Sequence, residues 1–297
     1  MTQPLRILFT PSLREGYWLH VIHTEAGARG VSVANFGEGE ADILLAHAID
    51  HDEALAQTAS DWIILADSPE AALSICGAAL EEVPPGRQAW LAANHRLAPA
   101  ALLAGRGSTV FDMGAARLDL PRLGPIEMPF EIPVQTPPPA PQLGLYAQLP
   151  IPVGAASVWP ADLFNYPLGD DPTGGESQID LTGRARTLMF GPYATLPPGR
   201  WRATVKVMVD PEGGWTPLWF DWGAQDNMTV HEETIHEAGV YSLSLDGGWD
   251  RPTEVQMRAV LTQPVFQGRF EMLECRVERL DDAEPAGDQP AEAAASA

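Results

Sequence analysis

Across a proline-dense stretch the spacing of apolar residues changes from short continuous runs to strict alternation. A chain patterned this way cannot be one uniform sheet or helical bundle. Residues 121–172 hold 13 of the 28 prolines, including Pro137-Pro138-Pro139. Proline fixes φ and removes a backbone donor, so the stretch favours extended backbone over helix. Residues 121–154 read as a surface linker, packed in places through Phe130, Leu145, Tyr146 and Ile151. It separates residues 1–120 from residues 155–280. The acidic segment 281–297 has almost no bulky apolar side chain and is expected to be a disordered tail.

Before the linker, short apolar runs alternate with helical patterns. Leu5–Phe9, Ala41–Ala48, Trp62–Ala66, a weaker Ala89–Ala92 and Ser108–Phe111 read as strands. Asp50, Asp52 and Glu53 mark a helix start. Ser68 at an N-cap and Pro69 at the first helical position open a helix to about Glu82, and another is expected near Ala98–Leu103. Strands alternating with helices imply βαβ units and a mostly parallel sheet, a small Rossmann-like or flavodoxin-like α/β domain.

After the linker the period is two. Val205, Val207 and Val209 alternate with polar neighbours, as do Tyr241, Leu243 and Leu245, and Val255, Met257, Ala259 and Leu261. Further strands are expected at 185–190, 216–222, 226–231 and 268–279. In the last, Phe270 and Met272 keep one parity while Leu273, Cys275 and Val277 keep the other, which predicts a β-bulge near Met272–Leu273. Seven or eight short antiparallel strands imply a β-sandwich of jelly-roll type.

Charge narrows the partners. With 40 acidic and 18 basic residues the net charge is -22. No basic stripe exists for phosphate contacts, so nucleic acid is not an expected partner. An anionic membrane surface would repel the chain, and no apolar run is long enough to span a bilayer. The N-terminal residues lack a signal-peptide core, so a cytoplasmic protein is expected. Cys76 and Cys275 lie far apart and read as buried small hydrophobes, which leaves no disulfide framework or CxxC site.

Most catalytic motifs fail on spacing. The first strand leads into Thr10-Pro11-Ser12-Leu13-Arg14-Glu15-Gly16, with one glycine where a dinucleotide fingerprint needs three. Gly37-Glu38-Gly39 is only a GxG, and no Walker A or GxSxG motif occurs. His231 and His236 are five apart, whereas a zincin helix needs them four apart, so this stretch reads as a solvated strand-to-turn segment. Asp50-His51-Asp52 follows a strand, where a metal-holding DxD could sit, but three-residue motifs arise often by chance and the stretch reads first as acids at a helix N-terminus. No cofactor, metal or catalytic residue is expected from these patterns. A calcium site through Asp170, Asp171 and Glu176 and an exposed acidic loop are both open readings.

Tryptophan is concentrated after the linker at Trp159, Trp201, Trp215, Trp219, Trp222 and Trp249. Indole faces stack on the flat C–H faces of sugars, and polar side chains meet the hydroxyls at the edges. Parity splits the densest cluster. Leu218, Phe220 and Trp222 share a face assigned to the core; Trp215, Trp219 and Asp221 share the other. The candidate ligand residues are therefore Trp159, Trp215, Trp219, Asp221, Gln225 and Asn227. An interdomain contact through Trp215 and Trp219 is the competing reading.

The run Asp180-Leu181-Thr182-Gly183, with Met189-Phe190-Gly191-Pro192-Tyr193-Ala194-Thr195-Leu196-Pro197-Pro198-Gly199-Arg200-Trp201 and the late Gly268-Arg269-Phe270-Glu271, resembles accessory β-sandwich domains of bacterial glycan-related proteins. These are similar to carbohydrate-binding jelly rolls, often attached to glycosyltransferases or surface-polysaccharide proteins. The resemblance covers roughly residues 155–280 and implies a hairpin through Pro197-Pro198-Gly199. Tyr193 and Trp201 read as structural there. Residues Arg6 to Gly16 resemble the opening of two-domain glycosyltransferases, although a sandwich stands in place of their second α/β domain.

The expectation is a non-catalytic glycan-recognition or adhesin-type protein with a polysaccharide partner, in one variant a fibre or spike of a released phage-like particle. One alternative is a glycosyltransferase-related enzyme of polysaccharide assembly using Asp50 and Asp52. The other is a structural assembly subunit whose tryptophan face packs on a protein partner or a second copy.

Overall fold

The computed structural model describes residues 3–57, 62–82, 85–129, 137–167 and 176–281. The chain divides into two units, Met1–Ile151 and Pro152–Ala297.

Unit 1 runs β1 (Leu5–Phe9), α1 (Glu15–Arg29), β2 (Val33–Asn35), β3 (Ile43–Ala46), α2 (His51–Ala56), β4 (Trp62–Ala66), α3 (Pro69–Ala79), α4 (Arg87–Gly105), β5 (Thr109–Asp112), β6 (Arg117–Leu120) and β7 (Gly124–Glu127). Its five-stranded sheet has the order β2-β3-β1-β4-β5, every pair parallel. This differs from both common doubly wound orders through the three-residue β2 at the border; without it the order begins as in the flavodoxin-like arrangement. Both faces are covered, which is why β3 and β4 are apolar throughout and β1 is apolar except for Arg6. Ile7, Phe9, Ile43, Ile63 and Leu65 pack under Trp18 and Ile22 of α1 and under the β6–β7 hairpin. Leu8, Trp62 and Ile64 pack on the other side against α2 and α4.

Local chemistry sets the helix ends. Asp50 caps α2 by accepting from the Glu53 amide at 2.6 Å, and Ser68 caps α3 by accepting from Ala71 at 3.2 Å. Gly30 ends α1 with φ 67, and the Val31 amide reaches back to the Ala26 carbonyl.

The strand expected at Ala89–Ala92 is helical. It opens α4, in which Trp90, Ala93, Asn94, Leu97 and Ala101 are buried at helical spacing. Four apolar residues alone fit either period; the helical spacing of the residues that follow, to Gly105, decides it. The unit still has five sheet strands, because β2 takes the place of the one lost.

Part of the proline-rich stretch belongs to unit 1. Leu120, Leu123 and Ile126 enter the α1-side core, and Leu143, Leu145, Tyr146 and Ile151 are buried. Trp90 donates to the Gln142 carbonyl at 3.0 Å and Asn94 to the Tyr146 hydroxyl at 3.0 Å, tying α4 to the turn at Pro141–Tyr146. Burial pushes the Tyr146 phenol pKa up. Phe130 and the tail from residue 282 lie outside the described residues.

Unit 2 is a sandwich of β8 (Ala156–Pro160), β9 (Gln178–Asp180), β10 (Arg186–Met189), β11 (Pro192–Leu196), β12 (Gly199–Asp210), β13 (Thr216–Ala224), β14 (Asn227–Ile235), β15 (Gly239–Trp249), β16 (Thr253–Leu261) and β17 (Arg269–Arg279). One sheet has the order β15-β12-β17-β8, with β9 also on β17; the other has β10-β16-β13-β14, with β11 also on β16. All pairs are antiparallel. Taking β8 with β9, and β10 with β11, as one border each leaves eight strand positions in jelly-roll order.

The alternating residues of β12, β15 and β16 point inward as their period requires, and Trp159, Trp201 and Trp222 are fully buried with them. Trp159 lies 6.0 Å from Trp222, Trp222 lies 6.3 Å from Trp249, and Trp249 stacks on Trp201 at 6.5 Å. The bulge falls at the expected place: Lys206 pairs with Glu274 and Val207 with Met272, so Leu273 is skipped. There the outer neighbour of β17 also changes, from β8 on residues 274–278 to β9 on residues 269–271.

The Pro197-Pro198 turn is not a hairpin. β11 pairs with β16 and β12 with β15 and β17, so the turn carries the chain from one sheet to the other. Gly199 supplies φ 138 there, and Trp201 and Trp249 both donate to the Pro197 carbonyl. Cys275 is buried in this core and Cys76 in unit 1, and burial raises both thiol pKa values.

Candidate functional site

The outward face of the sheet containing β13 and β16 carries the polar half of their alternation. Antiparallel register sets Asp221 opposite Arg258, Gly223 opposite Gln256, and Trp219 opposite Val260. β11 adds Pro192 beside Gln256, and β10 adds Thr187 beside Val260. A groove of about 920 Å³ opens there, lined among others by Tyr193, Phe190, Gln225, Gln256, Arg258 and Arg186.

Its floor is a charge pair. Arg258 Nε donates to Asp221 Oδ1 at 2.7 Å and Nη2 to Oδ2 at 2.6 Å, a parallel two-bond fork. The Asp221 side chain is 2% exposed and that of Arg258 38%. The hydrogen bonds to Asp221 raise the Arg258 pKa further above its ordinary value. Nη1 takes no part in the fork. Beside it, Gln256 is 6% exposed and its Oε1 is buried with no hydrogen-bond partner. An unmet buried acceptor costs about 1–3 kcal/mol, which a donor delivered into the groove would recover.

Tyr193 forms the rim. It is 40% exposed, its ring meets Phe190 edge-on at 6.0 Å, and its backbone has φ 71. A bulky residue in the left-handed region is held against its own preference, a feature concentrated at ligand sites. The opposite rim is braced: Arg186 donates to the carbonyls of Asp180, Leu181, Thr182 and Arg184. Asp180 accepts from the Thr182 amide at 2.8 Å, and its bonds from Thr182 hold its carboxyl pKa below the ordinary value. The groove thus offers a fixed aromatic face, guanidinium and amide donors, and open acceptors, the set that polyhydroxylated rings use.

The expected ligand residues divide. Asp221 is on the floor under Arg258, and Gln225 lines the groove. Trp159 is fully buried in the core on Trp222, so it is unavailable for stacking. Trp215 is 46% exposed but precedes the far end of β13, about 30 Å from Gln225 at strand rise. Trp219 is half-buried on the outer face, and its buried indole N–H has no partner. The Asn227 amide turns toward the Gly248 carbonyl at 3.5 Å, away from the groove. Tyr193, Gln256 and Arg258 were not among the expected residues. The parity of β16 marks Gln256 and Arg258 as outward; nothing local pairs Arg258 with Asp221, 37 positions away.

The remaining candidates find ordinary roles. Asp50 is the N-cap of α2. His231 sits in β14 beside Glu233, and His236 follows the strand in an exposed turn. Glu176 is exposed at the groove rim, while Asp170 and Asp171 lie outside the described residues. No group of three His, Cys, Asp or Glu side chains is arranged to hold a metal among the described residues, and none of their helices is long and apolar enough to cross a membrane.

No protein-family model matches the chain, and no curated protein matches it. Among solved structures it is similar to the CBM22-1 xylan-binding domain of Paenibacillus barcinonensis Xyn10C, with TM-score 0.31 and 9% identity over 44% of this chain and 98% of that one. It is also similar to the CBM36-1 domain of a multidomain xylanase from the hindgut metagenome of Trinervitermes trinervoides, with TM-score 0.28 and 10% identity over 44% and 98%. A third is TmCBM61, solved with β-1,4-galactotriose, with TM-score 0.26 and 10% identity over 42% and 81%. Likenesses this distant name no ligand for this chain.

Proposed function

We propose that unit 2 is a glycan-recognition module that binds a polysaccharide segment in the groove over β13 and β16. One observation carries the reading: the buried, unpartnered Gln256 carbonyl beside the Arg258 fork, beneath an exposed and backbone-strained Tyr193. A sugar ring stacks on Tyr193. Its hydroxyls donate to Gln256 Oε1 and accept from Arg258 Nη1, while Gln225 meets the next residue of the chain. Asp221 does not touch the sugar; it holds the guanidinium plane.

The test is a glycan array probed with the full chain, followed by calorimetric titration of the glycans that bind. Tyr193→Ala and Gln256→Leu each remove about 1–2 kcal/mol, a loss of roughly tenfold in affinity. Trp215→Ala, remote from the groove, leaves affinity unchanged. The reading fails if the wild-type chain binds no glycan, or if binding survives both groove variants and is lost with Trp215→Ala.

A further inference from the structure

Unit 1 has a cleft that the glycan reading does not use. It is about 990 Å³ and opens at the carboxyl ends of β4 and β5. The crossover through α1 lies on one face of the sheet, whereas α3 packs on α4 of the other face. The chain therefore changes sides between β1 and β4. Such a reversal leaves a crevice beyond the strand ends, where open parallel sheets take their ligands.

The walls sort by chemistry. Ala66, Ala71, Ile75, Val110, Phe111 and Leu149 give an apolar body to the cleft. The guanidinium of Arg14 in the wall is already matched: its Nη1 lies 2.9 Å from both Asp67 oxygens. Asp67 also accepts from the Ser12 hydroxyl and, at 2.7 Å, from the Ser68 amide. Asp112 is different. It ends β5 exposed, one oxygen accepts from the Gly114 amide at 2.7 Å, and it has no ion-pair partner among the described residues. Among the described residues the lining carries two carboxylates and one guanidinium, a net negative charge facing an apolar slot. A phosphate or carboxylate ligand meets repulsion there; a cation gains a partner.

We propose that this cleft is a second ligand site, for a small organic amine with an apolar or aromatic body. The ammonium pairs with Asp112, and the body lies between Ile75 of α3 and Val110, Phe111 and Leu149.

Two probes share one body and differ in charge: tryptamine and indole-3-acetate. Titrated into the full chain and followed by ligand-observed NMR, tryptamine binds at least about tenfold more tightly. Asp112→Asn keeps the bond from the Gly114 amide through its amide oxygen and removes the charge, so tryptamine affinity falls about fivefold and the gap between probes narrows. Ser74→Phe fills the slot and removes binding of both, with circular dichroism confirming that each variant is folded. The proposal is overturned if tryptamine does not bind, if the two probes bind equally, or if neither substitution changes tryptamine affinity.

Discussion

At the scale of single residues, the Asp221–Arg258 pair has the largest consequence. Asp221 is far more buried than its partner, so the two ends of the pair are not equivalent. Removing Arg258 strands a carboxylate in the sheet, whereas removing Asp221 leaves a guanidinium that turns to water. Arg258→Met is therefore expected to cost about 3–5 kcal/mol in urea unfolding. The double variant Asp221→Leu with Arg258→Met should recover most of that loss, because a hydrophobic pair of similar volume carries no desolvation cost. A double variant whose loss equals the sum of the losses of Asp221→Leu and Arg258→Met alone would show that the two side chains are not coupled. The tryptophans teach a related lesson. Their concentration after the linker suggests a ligand platform, yet Trp159, Trp201, Trp222 and Trp249 form one connected aromatic cluster in the sandwich. Composition reports that large flat side chains are present; only parity and pairing say which way they face.

At the scale of elements, β17 shows what a sequence states outright. Its parity slip located the bulge, and the same slip makes a prediction. Deleting Leu273 joins Phe270 and Met272 to Cys275 and Val277 in one regular alternation, so every inward residue stays inward. Deleting Arg276 instead turns Val277 outward and destroys part of the core. The Leu273 deletion is expected to keep a cooperative thermal melt, and the Arg276 deletion to lose it; circular dichroism on both variants decides. Other elements also lie where the sequence put them: β1 and β4 from short apolar runs, α3 from its Ser68-Pro69 opening, and β12, β13 and β16 from alternation. Ala89–Ala92 was not legible, because four residues cannot distinguish helix from buried strand. The two-sheet path of the Pro197 turn was not legible either, since turn chemistry sets local geometry and not the sheet each arm will join. The groove was half legible: period two placed Gln256 and Arg258 on the polar face, but the positive φ of Tyr193 and the partner of Arg258 arise only from the assembled sheet.

At the scale of the whole molecule, each unit contains its own buried core. Two cores of this kind unfold as separate cooperative systems. Scanning calorimetry of the full chain is expected to show two transitions, and residues 152–281 expressed alone should reproduce one of them at nearly the same temperature. A single transition in the full chain, with no cooperative melt in the fragment, would show that the units are stable only together. The net charge of -22 belongs to this scale as well. A charge of that size disfavours polyanions and names no ligand. One feature of the sandwich acts between molecules. Each sheet has a border laid by two short strands, β8 with β9 and β10 with β11, the longest of them five residues, with Pro160 and Pro192 among them. An approaching strand from another copy would lose its register within a few residues and meet missing donors at the prolines. On those two borders an approaching strand finds no long template for intermolecular sheet growth, so any strand pairing between copies is directed to the opposite borders, where β15 and β14 run eleven and nine residues.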